Sequence, residues 1–116
     1  MTKDPFVFIH HIYDAISDIE EYKSDTPTFK DLQADKKTQD AIVRKLEIVG
    51  EAINNLPLEF RGKYPEVDWK GPVNVRNIIS HEYFDLDLDI VWKLFDRDIP
   101  IFKSQMEEIL KSEPHE

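Results

Sequence analysis

The sequence predicts an all-α fold, an antiparallel bundle of four or five helices. Two observations predict it. Apolar residues recur at steps of three and four through most of the chain, and no window of five or more residues alternates as a strand would. At 116 residues the chain suits one domain, 1–116, and is too short for two.

The first helix is expected over about 5–24. Ile9, Ile12, Ile16 and Ile19 share one face, and Asp4 before Pro5 makes a good N-cap and first-turn pair. "SDTPTF" breaks it, and Thr28 is placed to cap a short turn over "FKDLQAD". The second long helix should span about 36–55. Ile42, Leu46, Val49, Ile53 and Leu56 form its stripe, widened by Ala41, Ile48 and Ala52, and Pro57 ends it. "LEFRGKYPEVDWKGP" reads as a connector with one short helical turn. A third long helix should begin near Pro72 or Val73 and be interrupted by "YFDLDLD". The last should run from Asp87 to about 111, with Ile90, Leu94, Ile101, Met106 and Leu110 among its apolar positions, kinked or split by Pro100.

Composition excludes several chemistries. The chain has no cysteine, so disulfides, thiolate metal sites and cysteine nucleophiles are out. A net charge of −9, from 24 acids against 15 Lys and Arg, argues against broad binding to nucleic-acid backbones, though not against a small basic pocket. Three glycines leave no Gly-rich phosphate loop. The N-terminus lacks the apolar run of a signal peptide and no run is long enough to span a membrane, so a soluble cytoplasmic protein is expected. His10 and His11 are adjacent and diverge on a helix, and no zinc-ligand spacing occurs. Asp85, Asp87, Asp89 and Asp96 mimic a calcium loop, but its obligatory glycine position holds Ile90; helix capping explains these acids better. Glu47 and Glu51 share a face, yet Arg44 and Lys45 beside them favour a solvated or ion-paired surface.

"VRNIISHEYF", positions 75–84, is the chemically dense stretch. Val75, Ile78, Ile79 and Phe84 supply apolar surface. Arg76, Asn77, Ser80, His81 and Tyr83 exceed what a core helix needs. On a helix, Arg76, Ser80 and Tyr83 share one stripe, and Asn77 and His81 an adjacent one. Arg76 and His81 lie about 140° apart around the axis and roughly 7.5 Å along it, so a long arginine and an imidazole can converge on one phosphate.

The spacing Arg76-x4-His81-x-Tyr83 resembles the motif of the HEPN superfamily, in its HepT-like branch. "DPFVFIHHIYDAISDIEEY", "KKTQDAIVRKLEIVGEA", "YPEVDW" and "YFDLDLDIVW" look like the same branch, so the likeness covers about residues 4–110. The resemblance implies a homodimeric helical toxin of a type II or type VII-like toxin–antitoxin pair that cleaves RNA without a metal or other cofactor. It also implies a minimal nucleotidyltransferase antitoxin as partner, which adds AMP to the motif tyrosine, here Tyr83. His81 would then act as general acid or base, Arg76 would stabilise charge on the phosphoryl oxygens, and Asn77 and Ser80 would support them. Where the branch often has a Gly-Met or similar pair before the arginine, "VNV" precedes Arg76 here.

Plainer readings exist for the same residues. His81 could be a half-buried helix-end histidine, Arg76 the ion-pair partner of Glu47 or Glu51, and Tyr83 a packing aromatic with its hydroxyl in water. The alternative function is a non-catalytic helical module that binds a nucleotide or a nucleotidyltransferase. In a regular helix Tyr83 falls about 200° from His81, so the helix must loosen near 82–84 or the tyrosine must serve the Arg76 side. Apolar stripes on the third helix and the start of the fourth exceed the needs of one small bundle, which predicts a twofold homodimer with the third helix at or near the interface.

Overall fold

A computed structural model describes residues 4–73 and 88–114. Every regular element among them is helical. The helices are α1 (Pro5–Asp25), α2 (Phe29–Ala34), α3 (Lys36–Asn55), α4 (Leu58–Gly62), α5 (Leu88–Lys93) and α6 (Ile99–Lys111). A π-helical turn, Leu94–Asp98, joins the last two.

Asp4 and Thr28 cap their helices as the sequence predicts, and Asp31 and Asp35 add caps the sequence reading did not name. The Asp4 carboxylate accepts the Phe6 amide at 3.0 Å, with Pro5 opening α1. Thr28 and Asp31 form a reciprocal capping box on α2, each side chain accepting the other's amide at 3.1 Å. Asp35 caps α3 through the Thr38 amide at 3.0 Å. Leu56 and Pro57 take extended backbone and end α3.

The α1 stripe of Ile9, Ile12, Ile16 and Ile19 is buried against α3, whose Ile42, Leu46, Val49, Ile53 and Leu56 are all buried too. Each such side chain contributes about 1.5–3 kcal/mol when fully removed from water. Helix α6 runs antiparallel to α1 across the other side. Along α1 the ion pairs and hydrogen bonds step from His10 to Tyr13, Glu20 and Lys23, while their partners step back from Glu113 to Glu107, Lys103 and Asp96. Buried Gln39 fastens α2 onto α3, its amide donating to the Leu32 and Gln33 carbonyls at 2.8 and 3.2 Å.

Two expectations shift. The third long helix was expected to begin near Pro72 or Val73, and the described chain is helical slightly earlier, from residue 70 to 73. The cause is Asp68, whose Oδ1 accepts the Gly71 amide at 2.9 Å, the i to i+3 reach of an N-cap. Ile101 was expected among the apolar positions of the last helix, but it is 62% exposed. Pro100 brings no N–H and its ring presses on the carbonyl four residues back, so an unbroken helix is costly there. The chain answers with the π-turn, and α6 restarts with Pro100 in its first turn. The extra residue rotates the stripe, so Ile99, Phe102, Met106 and Ile109 face the core and Ile101 faces out.

Candidate functional site

Arg76, Asn77, Ser80, His81 and Tyr83 all lie outside the described residues. What the structure does describe is the scaffold on both sides of them, and it is specific at the upstream side.

The connector after α4 is held from within. Trp69 is buried, and its indole N–H donates to the carbonyls of Arg61 and Tyr64, both at 3.2 Å. Its ring meets Phe102 of α6 edge to face, centroids 6.1 Å apart. Buried Val67 and Phe60 complete this anchor. The Asp68–Gly71 cap spans Trp69 itself, from the residue before it to the second after it. A Cβ at Gly71 would run into the Asp68 carboxylate. A buried indole and a capped helical turn thus hold the last described residues before the motif, up to 73.

That turn borders a cavity of about 230 Å³. Ile16, Ile19, Leu46 and Val49 from α1 and α3 form one wall, and Ile99 and Phe102 from α6 another. Gly71 and Pro72 line it as well, with Glu66, Asp68 and Asp98 as the charged residues among the described lining.

A second polar cluster ties α1 to α6. The Tyr13 hydroxyl donates to Glu107 Oε1 at 3.0 Å, and the Lys103 ammonium sits 5.5 Å from the Tyr13 ring centre. Lys103 also donates to Glu20 at 2.6 Å. The hydrogen bond to the Glu107 carboxylate is the main reason the Tyr13 phenol is held above its ordinary pKa of 10.0. The bond to Glu20 likewise raises Lys103. Neither group is matched to proton transfer near neutral pH, so the cluster fastens helices rather than doing acid–base work.

The remaining sequence candidates fall out as follows. His10 pairs with Glu113 at 2.8 Å, while His11 sets its ring edge to face with Phe8 at 6.3 Å, so the adjacent histidines diverge. Arg44 and Glu47 approach to only 4.0 Å, whereas Lys45 leaves its own helix face to meet Asp18 of α1 at 2.8 Å. Asp96 serves Lys23 at 3.2 Å. Asp85 and Asp87 lie outside the described residues. Among the described residues no group of three or more His, Asp or Glu is arranged to hold a metal ion, and no helix is long and apolar enough to cross a membrane.

Sequence reasoning missed Asp68 and Gly71. The signal was present in "DWKG": an aspartate three residues before a glycine, at the end of a Pro-containing connector. It also missed Tyr13 with Glu107, because a pairing between helices far apart in the chain has no local signature.

Comparison with known proteins places this scaffold. No solved structure matches. Among curated proteins, "Probable ribonuclease HepT" of Thermococcus cleftensis is 38% identical over 104 residues, covering 90% of this chain and 94% of its own. "Putative RNase MJ0127" of Methanocaldococcus jannaschii is 39% identical over 109 residues, 94% of this chain and 89% of its own. A third, "Gamma-glutamylcyclotransferase and putative RNase MJ0434" of the same organism, is 45% identical over 111 residues, 96% of this chain. This chain spans only 48% of that relative's length. The model of the ribonuclease HepT-like family matches residues 12–109, from the core of α1 to the last buried residue of α6, with the whole Arg76–Tyr83 stretch inside. The chain therefore belongs to the ribonuclease HepT-like family.

Proposed function

We propose that this chain, as one domain over residues 1–116, is a cytoplasmic endoribonuclease acting as the toxin of a toxin–antitoxin pair. The observation that carries the reading is Arg76-x4-His81-x-Tyr83 within a family match over residues 12–109. Relatives covered along most of their length bear ribonuclease names, which supports it.

The mechanism follows from the residue types. The ribose 2′-oxygen bonds to phosphorus as the bond from phosphorus to the 5′-oxygen breaks. His81 takes the 2′-hydroxyl proton or supplies one to the leaving oxygen, a transfer suited to an imidazole near neutral pH. Arg76 presents a planar fork to the phosphoryl oxygens as charge builds on them. Asn77 orients the phosphate or the imidazole, and Ser80 supports the same surface. No step requires a metal ion or other cofactor. Two copies form a twofold dimer, with the motif segments near the interface. A minimal nucleotidyltransferase antitoxin silences the site by attaching AMP to Tyr83, which adds negative charge and bulk where phosphate must enter.

The test is RNA cleavage by the purified chain in EDTA. Wild-type activity that His81→Ala abolishes supports the proposal. Cleavage that requires magnesium, or that His81→Ala leaves intact, refutes it.

Two observations favour a second reading. The net charge of −9 and the acids bordering the cavity suit a module that binds a nucleotidyltransferase without cutting RNA. Tight partner binding with no cleavage of any RNA would establish that reading instead.

A further inference from the structure

We propose that Arg61, Lys63 and Lys70 form a contact surface for RNA phosphates, with Arg61 as its anchor. The inference rests on RNA as the substrate in the reading above. Every residue it uses lies among the described ones, outside the motif.

The Trp69 anchor brings these cations together. Its indole N–H donates to the carbonyls of Arg61 and Tyr64, both at 3.2 Å, and so folds the connector back on itself. Lys70, the residue after Trp69, is thereby returned to the stretch that carries Arg61 and Lys63. The buried indole and its contact with Phe102 hold this arrangement on the core.

Charge is sorted around that fold. Elsewhere Lys23, Lys45, Lys103 and Lys111 each meet a carboxylate, at 3.2, 2.8, 2.6 and 2.9 Å. Arg61, Lys63 and Lys70 form no ion pair among the described residues, in a chain with 24 acids. Three acids lie on the same connector and none of them neutralises these cations. Glu66 and Asp68 line the cavity, whose described lining contains none of the three cations, and Glu59 stands exposed on α4. Arg61 adds a second sign. It is half-buried, and its Nε is buried without a hydrogen-bond partner. A buried donor left in that state needs an explanation, and an anion on the guanidinium supplies one. The packing that buries Nε also holds the planar fork in place, which suits phosphate oxygens better than a mobile lysine does. Exposed Lys63 and Lys70 then act as point charges beside it. Three cations match a short stretch of backbone, which an acidic chain can bind where a long duplex would be repelled.

The test measures binding of a short single-stranded RNA, made uncleavable by 2′-O-methyl groups, by fluorescence anisotropy across a salt series. Arg61→Gln and the pair Lys63→Gln with Lys70→Gln are compared with a control, Lys36→Gln, which removes one positive charge from the far end of α3. Circular dichroism checks that each is folded. Arg61→Gln is expected to weaken binding about tenfold and to reduce the slope of log affinity against log salt by about 0.7, one phosphate for a single strand. The lysine pair should reduce the slope by about twice that. With cleavable RNA, KM should rise in these variants while kcat stays within about twofold. Lys36→Gln should leave slope and KM unchanged. An unaltered slope in both Arg61→Gln and the lysine pair overturns the inference, as does an equal change in Lys36→Gln. Variants that bind RNA normally but lose the nucleotidyltransferase assign the surface to a protein and overturn it too. If Arg61→Gln does not fold, the lysine pair decides. A wild-type chain that neither binds nor cleaves RNA removes the ribonuclease reading together with this one. Cleavage that depends on His81 with wild-type KM in every connector variant sinks the inference alone.

Discussion

Lys103 Nζ of α6 lies 2.6 Å from Glu20 Oε1 of α1, joining two helices across 83 residues of sequence. The same ammonium stands over the Tyr13 ring, whose hydroxyl is bonded to Glu107. Both proton donors hold their protons more tightly in the folded chain than in the unfolded one. Lys103 is raised above 10.5, chiefly by the Glu20 hydrogen bond, and Tyr13 above 10.0, chiefly by the bond to Glu107. Stability from these groups is then complete below about pH 10 and falls as pH rises through their folded values. Urea unfolding between pH 8 and 11.5 should show this alkaline loss. Lys103→Met should cost about 0.5–1 kcal/mol at pH 8 and flatten the loss.

Asp35 gives the opposite limb. The Thr38 hydroxyl, first, and the Thr38 amide hold its carboxyl below the ordinary 3.8. Its contribution is present above that value and disappears as pH falls through the lower, folded one. Carboxyl carbon titration by NMR should place the Asp35 midpoint below 3.8, and Thr38→Ala should move it back up.

The register of α6 can be tested by two neighbouring substitutions. Phe102 is buried and Ile101 is 62% exposed. Phe102→Ala should cost about 3–5 kcal/mol, while Ile101→Ala should stay within about 0.5 kcal/mol. Equal costs in denaturant melts would mean that the π-turn does not set the face of α6 in solution.

Assembly is open to a direct measurement. Light scattering at micromolar concentration should give twice the chain mass of 13.7 kDa. A value equal to one chain removes the dimer from the proposal.

The proposed modification makes a further demand. Incubation with the cognate nucleotidyltransferase and ATP should add AMP to Tyr83 and suppress cleavage. Tyr83→Phe should remain folded and escape the adduct. Mass spectrometry that places the adduct on Tyr13, Tyr22 or Tyr64 would sink this part of the proposal.

The long helices were legible because their information is local. Asp4 with Pro5, Thr28, and the stripes of α1 and α3 need only neighbours within a few residues, and the structure holds each as expected. The family was legible for a similar reason, since Arg76, His81 and Tyr83 sit within eight positions. Ile101 was misread because phase was counted from Ile90 and Leu94 as though the helix were unbroken. Pro100 warned of a break, but a proline does not say how many residues the break will absorb. Lys45 was misread in part as well: its partner is Asp18 on another helix, and such pairing depends on how helices dock. How Arg76, His81 and Tyr83 stand to one another depends on tertiary docking, which spacing alone bounds without fixing.

The π-turn carries a consequence for how this chain tolerates changes of length. From buried Val91 to buried Ile99 is eight steps, one more than the two turns an α-helix would use to return to the same face. Leu94–Asp98 thus holds one residue of slack in a helix pair otherwise committed to the core. Deleting one residue there, together with Pro100→Ala, would leave Val91 and Ile99 seven apart and every later core position in phase. The same deletion inside α3, which has no such slack, would turn half of its stripe to solvent.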